Sequence, residues 1–336
     1  MPSWSSSPCS GPITTPPICA RPSPSSSAAT GASAPGPADA VTERGTALEA
    51  SSAAQPGQNK PGKNWRDLRK RVLSAMVLAP CALLCVWLGA NAYTFLLALG
   101  AAILTWEWVH LCGMRARTLP GAGVPVAVFI AGTLAVMEYP LAAWAVLGTG
   151  FLLTWAFAAG MRDRDRPAQP SLRLALGVLY IGIGGLCLIE LRHENEAGRA
   201  NLLFLLLVVW ASDIGAYLAG RALGGPLLWP QVSPAKTWTG AAGGLLLAML
   251  IGGFAALQLA PGSFSRAAAA AAVLAVATQA GDLLESAIKR HFKVKDTSSL
   301  IPGHGGLLDR LDGLLAAAPA AMLLALLIGY GGALWR

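Results

Sequence analysis

Residues 201–220 read NLLFLLLVVWASDIGAYLAG, a run in which Asp213 is the only charged side chain. A helix needs about 20 predominantly apolar residues to cross the hydrocarbon core of a bilayer. Eight further stretches of this kind lie at residues 72–90, 93–112, 121–138, 140–159, 173–191, 238–260, 266–288 and 312–333. The sequence therefore predicts an all-α, polytopic transmembrane helical bundle of about nine spans.

The overall composition points the same way. Of the 336 residues, 54% are hydrophobic and only 12% are charged, whereas soluble domains carry roughly a quarter charged residues. Residues 1–62 differ, because they are rich in Ser, Pro, Ala and Gly. Such a segment buries too little apolar surface to offset the entropy of ordering. We therefore expect a disordered tail at 1–62, which lacks the apolar core of a signal peptide, and a transmembrane domain at 63–336.

The positive charges predict an orientation. If the N-terminus is cytosolic, that side receives the Lys and Arg residues of segments 60–71, 115–117, 162–173, 221–236 and 289–310. The opposite side receives only Arg192, Arg199, Arg266 and Arg336. Because cytoplasmic loops carry the excess of Lys and Arg, we expect the N-terminus inside and the C-terminus outside. The net charge of +8 then reflects topology and anionic lipid headgroups rather than nucleic acid.

Four polar segments fall on the predicted cytosolic side, and they place an active-site region at about residues 205–315. They are residues 210–221, 233–240, 279–290 and 293–312. In the third segment Asp282, Ser286 and Lys289 are spaced to share one helix face, with Glu285 beside them. Ionisable groups inside a membrane are costly and usually face a cavity or a partner. The alternative is a structural ion pair from Asp282 to Lys289 or Arg290.

Asp309 and Asp312 precede the last predicted span. Asp309 together with Asp282 could supply hard oxygen ligands, and Mg²⁺ typically takes one or two protein carboxylates and completes its shell with water and phosphate. Capping of the helix N-terminus is the competing interpretation, above all for Asp312. Asp282 and Asp309 are therefore candidate ligands for a magnesium ion, with capping and a structural ion pair as the alternatives.

Basic residues surround a glycine-rich turn in the same region. Glycine lets a backbone approach a phosphate closely and point its N–H groups at it. His304 could bond a phosphate or transfer a proton, and could equally be an ordinary turn residue; the basic residues could equally be a topology signal. The residues expected to contact phosphate are Lys289, Arg290, Lys295, His304, Gly305, Gly306 and Arg310.

The first two polar segments add three candidates for substrate binding. Ser212 and Asp213 interrupt an apolar helix, and Lys236 follows a Ser-Pro pair. Ser212 and Asp213 would contact substrate or support the metal site, and a hydrogen bond between helices explains them equally well. Lys236 suits a phosphate, although an ordinary cytosolic lysine fits too.

The third and fourth segments, read together, resemble one family. The string S-x-I-K-R-x4-K-D-x-S-x2-I-P-x-H-G-G-x2-D-R-L-D at residues 286–312 is similar to the signature of the phosphatidate cytidylyltransferases (CDP-diacylglycerol synthases), without departure across its 27 positions. The resemblance extends to the polar residues of 212–221 and 233–240.

The resemblance implies a function and several partners. CTP and phosphatidic acid in the cytosolic leaflet would give CDP-diacylglycerol and pyrophosphate, at the inner (plasma) membrane. Asp282, Ser286, Lys289 and Asp309 would act in catalysis. The resemblance further implies a homodimer and a magnesium ion on Asp282 and Asp309, with a potassium ion as an optional second cation.

Two rivals come from the residues alone. A CTP-dependent lipid-alcohol kinase would use a similar site but release CDP. An ion-coupled transporter would use Asp213 and Asp282 as cation sites, although transporters often show internal repeats and polar residues at the bilayer midplane. Here no repeat is visible, and the polar residues lie near one face.

Overall fold

The computed structural model describes residues 80–160, 169–193, 197–259, 262–298, 300, 305–329 and 332–336. Within them, eight helices are long and apolar enough to cross a membrane. They are α1 (Ala90–Leu111), α2 (Leu119–Val136), α3 (Pro140–Gly160), α4 (Gln169–His193), α5 (Gly198–Leu223), α6 (Trp238–Leu259), α7 (Phe264–His291) and α8 (Leu308–Ile328).

These helices confirm the predicted polytopic bundle. Each coincides with one of the nine predicted spans, and residues 80–88 are helical within the remaining one. Residues 72–79 of that span, and the predicted tail at 1–62, lie outside the described residues. The last span differs most from its prediction, because α8 begins at Leu308 and ends at Ile328, before Gly329 with a φ of 115°. The inside–outside orientation stays a prediction.

Antiparallel neighbours bring alternate helix ends to one side of the bundle. Helices α5, α6 and α7 pack in series, as do α2, α3 and α4, while α8 packs against α4, α5 and α7. Close crossings rest on small residues, as is typical of membrane helices. A Cβ at Gly215 of α5 would lie 2.6 Å from the carbonyl oxygen of Gly243 in α6. A Cβ at Gly281 of α7 would lie 2.8 Å from the carbonyl oxygen of Asp312 in α8.

A small β-hairpin joins α5 to α6, which the sequence did not predict. Strand β1 (Leu227–Trp229) pairs antiparallel with β2 (Ser233–Thr237). Arg290 at the end of α7 donates from Nε to the carbonyl oxygen of Val232 at 3.3 Å. A connection at the membrane edge must satisfy its backbone groups, and pairing its two arms does so. The hairpin thereby holds Lys236 beside α7.

Glu107 connects α1 to the start of α8 across some 200 residues of sequence. Its side chain is fully buried. The backbone N–H groups of Leu307 and Leu308 donate to its two oxygens at 2.9 and 2.8 Å, and the Ser298 hydroxyl donates at 2.6 Å. A helix begins with four N–H groups that lack partners within the helix. Glu107 supplies acceptors for two N–H groups at the start of α8 and ties the preceding loop to α1.

We expect Glu107→Gln to destabilise the protein. The amide keeps one acceptor and turns an NH2 group toward donors, so at least one buried N–H or hydroxyl loses its partner. Hydrogen bonds to charged groups contribute roughly 1.5–3 kcal/mol, so Tm in detergent should fall by several degrees. Limited proteolysis should show faster cleavage within residues 293–306. The matched control is Glu138→Gln, because Glu138 is exposed; equal Tm values for the two variants would contradict this role.

The glycine crossing gives a second prediction. Gly215→Val would force α5 and α6 apart, and overpacking costs about 1–3 kcal/mol. Gly148→Val in α3 is the control, because a Cβ at Gly148 would meet none of the described atoms within 4 Å while the change in helix propensity is the same. Thermal unfolding in detergent should show a lower Tm for Gly215→Val than for Gly148→Val. A higher Tm for Gly215→Val than for Gly148→Val would contradict close packing of α5 and α6 at Gly215.

Candidate active site

The polar segments predicted from the sequence meet at one end of the bundle. The C-terminal ends of α5 and α7, the N-terminal end of α8 and the β-hairpin all lie there, because α5–α6 and α7–α8 are antiparallel neighbours. The loop from Phe292 to Leu307 and the C-terminal end of α1 complete this end through Glu107. Side chains from six parts of the chain therefore converge on one region.

Lys289 lies at the centre of one half of this region. Its Nζ is 2.5 Å from Oε2 of Glu285, one turn earlier on α7, and 3.0 Å from Oδ1 of Asp309 on α8. The side chains of Glu285 and Asp309 are only 2% and 5% exposed. Buried carboxylates need a compensating charge, and Lys289 provides one to both. The sequence left open an ion pair from Asp282 to Lys289 or Arg290. In the structure Lys289 instead pairs with Glu285 and Asp309.

Asp309 also organises the glycine-rich loop. Its Oδ2 accepts hydrogen bonds from the backbone N–H of Gly306 at 2.8 Å and of Thr297 at 3.1 Å. Gly305 has a φ of 81°, and a Cβ there would lie 2.7 Å from Oδ2 of Asp309. A Cβ on Gly306 would lie 2.8 Å from the Glu107 carboxylate. Both glycines are thus needed for the close approach of a carboxylate, and the Gly306 N–H points at Asp309.

A second group of carboxylates surrounds Asp282. Its Oδ2 lies 2.6 Å from Nζ of Lys236 on β2, and its side chain interacts electrostatically with Asp312 of α8. Asp213 of α5 interacts electrostatically with Asp282, Lys236 and Arg310. Asp282 is 40% exposed and Asp213 is exposed, whereas Asp312 is buried. Asp312 lies in the second turn of α8 and faces α7, so it is not the N-cap of this helix.

The remaining candidates take varied positions. Buried Ser212 accepts a hydrogen bond from Nε2 of Gln279 at 3.4 Å, which links α5 to α7. Ser286 is half-buried on α7, and Arg290 is exposed and fastened to the hairpin. Lys295 and Arg310 are exposed at the same end. His304 lies outside the described residues.

The arrangement suits a hard cation that is completed by substrate. In the described part of the chain, no group of three or more His, Cys, Asp or Glu forms a complete metal site. Asp282 nevertheless offers exposed carboxylate oxygen beside Asp213 and Asp312, the donor type that Mg²⁺ prefers. Both oxygens of Asp309 already accept hydrogen bonds from protein groups. The donor set fits Mg²⁺ with Asp282 as the more accessible ligand, and the pairing of Asp282 with Asp309 stays a prediction.

Sequence reasoning missed Glu107. The available signal was a single carboxylate in an otherwise apolar span, the same signal that identified Asp213. Its contacts lie 190 to 201 residues away, so no local spacing reveals them. The sequence predicted that Glu285 lies beside Asp282 and Lys289 on α7. The structure adds the ion pair between Glu285 and Lys289 and the burial of Glu285 against α8.

Chemically, this end of the bundle combines lysines and arginines with carboxylates and an open face. The cations can neutralise phosphate oxygens, and the exposed carboxylates can hold a divalent cation that bridges them. This arrangement can position phosphate groups and neutralise their charge.

Comparison with known proteins identifies the family. The profile of the cytidylyltransferase family matches residues 69–328. A phosphatidate cytidylyltransferase of Brucella suis biovar 1 is 38% identical over 258 residues, covering 75% of this chain and 91% of the relative. Enzymes of the same name from Bacillus subtilis and Pseudomonas aeruginosa are 31% and 34% identical, covering 75% and 79% of this chain and 96% and 99% of the relatives. This chain belongs to the phosphatidate cytidylyltransferase family.

Proposed function

We propose that this protein transfers the cytidylyl group of CTP to phosphatidic acid, giving CDP-diacylglycerol and pyrophosphate for phospholipid synthesis. The observation that carries the proposal is the convergence of Asp282, Lys289 and Asp309 at one end of the bundle. Relatives named for this activity match the chain over three quarters of its length.

The reaction is a displacement at phosphorus. An oxygen of the lipid phosphate attacks the α-phosphorus of CTP, the bond from that phosphorus to the bridging oxygen breaks, and pyrophosphate leaves. Phosphoryl-type transfer is catalysed mainly by positioning and by neutralisation of charge. The nucleophile is already an anion, so no strong general base is required.

The residues of this chain supply the positive charge and the positioning. Lys236 and Lys289 are held by carboxylates at 2.6 and 2.5 Å, so their positions are fixed before substrate arrives. Arg290, Lys295 and Arg310 at the same end can neutralise the outer phosphates. A magnesium ion, when bound at Asp282, would supply charge that stabilises the pyrophosphate leaving group. Ser286 lies one turn after Asp282 and would contact the same substrate.

The location follows from the substrates. Eight apolar helices make this a membrane protein, and bacterial relatives support the inner (plasma) membrane. CTP is a cytosolic nucleotide, so the site would face the cytoplasm and receive phosphatidic acid from the cytosolic leaflet. The positive charges of the loops around the site support that orientation. The homodimer implied by the resemblance stays a prediction.

A product assay tests the function. Purified protein in detergent is given phosphatidic acid and CTP labelled on the α-phosphate, with and without Mg²⁺. We expect label in the lipid only with Mg²⁺, and at least a hundredfold loss of rate in Asp282→Asn and Asp309→Asn. Glu138→Gln, an exposed change outside the site, should retain the rate of the unaltered protein. Label in CDP would establish the lipid kinase instead, and folded protein without nucleotide turnover would exclude both.

A double variant separates the structural and functional roles of Lys289. Lys289→Met leaves Glu285 and Asp309 buried without their shared cation, and breaking a buried pair costs roughly 3–5 kcal/mol. Adding Glu285→Gln removes one of these charges and should restore much of the lost Tm. The rate of cytidylyl transfer should stay at least a hundredfold low in both variants, because the phosphate contact is still missing. Recovery of the rate together with Tm would show that Lys289 is only structural.

A further inference from the structure

We propose that the apolar cavity between α4 and α7, with α8 as its floor, is the subsite for one acyl chain of the lipid substrate. This inference rests on the proposed function, because it concerns the lipid that the site would receive. The cavity measures about 660 Å³, within the roughly 300–1,000 Å³ typical of ligand sites.

The lining is that of a site for hydrocarbon. Its walls are formed mainly by Trp108, Ile183, Leu284, Ile288 and Leu315. Helices α4 and α7 each pack against α8 but hardly touch each other, so a cleft remains between them. The indole of Trp108 is fixed in the wall by its Nε1–H, which donates to the carbonyl oxygen of Arg173 at 3.1 Å.

The cleft opens to the side of the bundle, where lipid lies. Leu176 of α4 and Leu284 of α7 both line it and are 42% and 50% exposed. A lipid can therefore enter from the leaflet without crossing water. This lateral opening distinguishes the cleft from the polar region around Asp282.

The depth of the cavity matches one leaflet. Its lining on α4 runs from Arg173 to Gly184, and 11 residues at a rise of 1.5 Å span roughly 16 Å. On α8 the lining reaches Pro319, 11 residues beyond the start of the helix at Leu308. Half of the hydrocarbon core is about 15 Å thick. An acyl chain of the site-side leaflet therefore fits the cavity along its length.

The shallow end of the cavity favours an anionic lipid. Arg173 and His291, the basic residues of the lining, both lie at the site end of their helices. Arg173 stacks over the ring of Phe292, with its guanidinium carbon 5.4 Å from the ring centroid. A chain seated in the cleft would thus have its phosphate at the level of the Arg173 guanidinium.

Tyr180 connects the cavity with the polar site. It lines the cavity, and its buried hydroxyl has no hydrogen-bond partner among the described residues. The carboxylates of Asp312, Glu285 and Asp282 lie within electrostatic range of this side chain. Its hydroxyl is therefore a polar group in the wall between the acyl cavity and the carboxylates.

Filling the cavity tests the proposal. Ala287→Phe adds a ring from the α7 wall, and Leu176→Trp adds bulk from the α4 wall, where half-exposure tolerates a larger side chain. Val273→Phe is the control, because Val273 is 48% exposed on α7 and does not line the cavity. Each protein is assayed with dioleoyl phosphatidate and with dihexanoyl phosphatidate, whose chains are too short to fill a cavity one leaflet deep.

We expect kcat/KM for the dioleoyl substrate to fall at least tenfold in Ala287→Phe and Leu176→Trp. The value for the dihexanoyl substrate should stay within twofold, and Val273→Phe should change neither. Equal losses for both substrates, or no loss for either, would overturn the acyl subsite while leaving cytidylyl transfer established.

A labelling experiment decides the matter independently of activity. Phosphatidate with a diazirine at the end of one acyl chain should label peptides around Ile183 or Leu315, and Ala287→Phe should abolish that label. Phosphatidylcholine carrying the same chain should label these peptides at least fivefold less. Equal labelling by both lipids would mean that the cleft holds bulk lipid and would overturn the proposal. If neither the unaltered protein nor any variant transfers cytidylyl groups, the proposed function is wrong. The labelling experiment alone then tests whether the cavity binds an acyl chain of phosphatidate.

Discussion

The hydrogen bonds that meet at the N-terminus of α8 hold the active-site end together. The N-terminus of α8 is buried in protein at Leu308, so its first N–H groups need acceptors within the protein. Glu107 takes those of Leu307 and Leu308, and Asp309 takes those of Thr297 and Gly306. Both carboxylates are thereby fixed, which places Asp309 against Lys289 and anchors α1 to the loop. The glycines of the loop are required because two carboxylates approach its backbone closely, Asp309 at Gly305 and Glu107 at Gly306.

Charged side chains of both signs meet at this end of the bundle. Its carboxylates belong to Asp213, Asp282, Glu285, Asp309 and Asp312, and its cations to Lys236, Lys289, Arg290, Lys295 and Arg310. Around Asp282 the neighbouring acids Asp213 and Asp312 outnumber the single cation Lys236. With a divalent cation held at Asp282, repulsion among these acids would be lower and Lys236 could bind a phosphate. The contact between carboxylate and lysine would then be replaced by a contact between carboxylate and metal and another between lysine and phosphate.

The sequence predicts those features that depend on composition or on spacing along one helix. The spans follow from runs of apolar residues, and Asp282, Glu285 and Lys289 follow from the helical repeat. Contacts between distant segments could not be predicted, because nothing local marks Lys236 as the partner of Asp282 or Glu107 as the cap of α8. The hairpin was missed because Ser-Pro-Ala-Lys-Thr lacks the alternation of a strand, and pairing arises only when the α5–α6 connection folds back. The sequence did not reveal that Gly305 and Gly306 lie against carboxylates, and their contact with phosphate stays a prediction.

The depth of Asp282 constrains how the two substrates meet. Asp282 lies nine positions before His291, the last residue of α7, which is roughly 13 Å along the helix axis. An ionised group at that depth is costly unless it faces a cavity, and the exposure of Asp282 and Asp213 shows that this region is open. Under the proposed function, the nucleotide would enter the bundle toward Asp282. A lipid whose chain lies in the cleft would present its phosphate at the shallow end, where Lys289 precedes His291 by two residues, while its chain remains among apolar side chains.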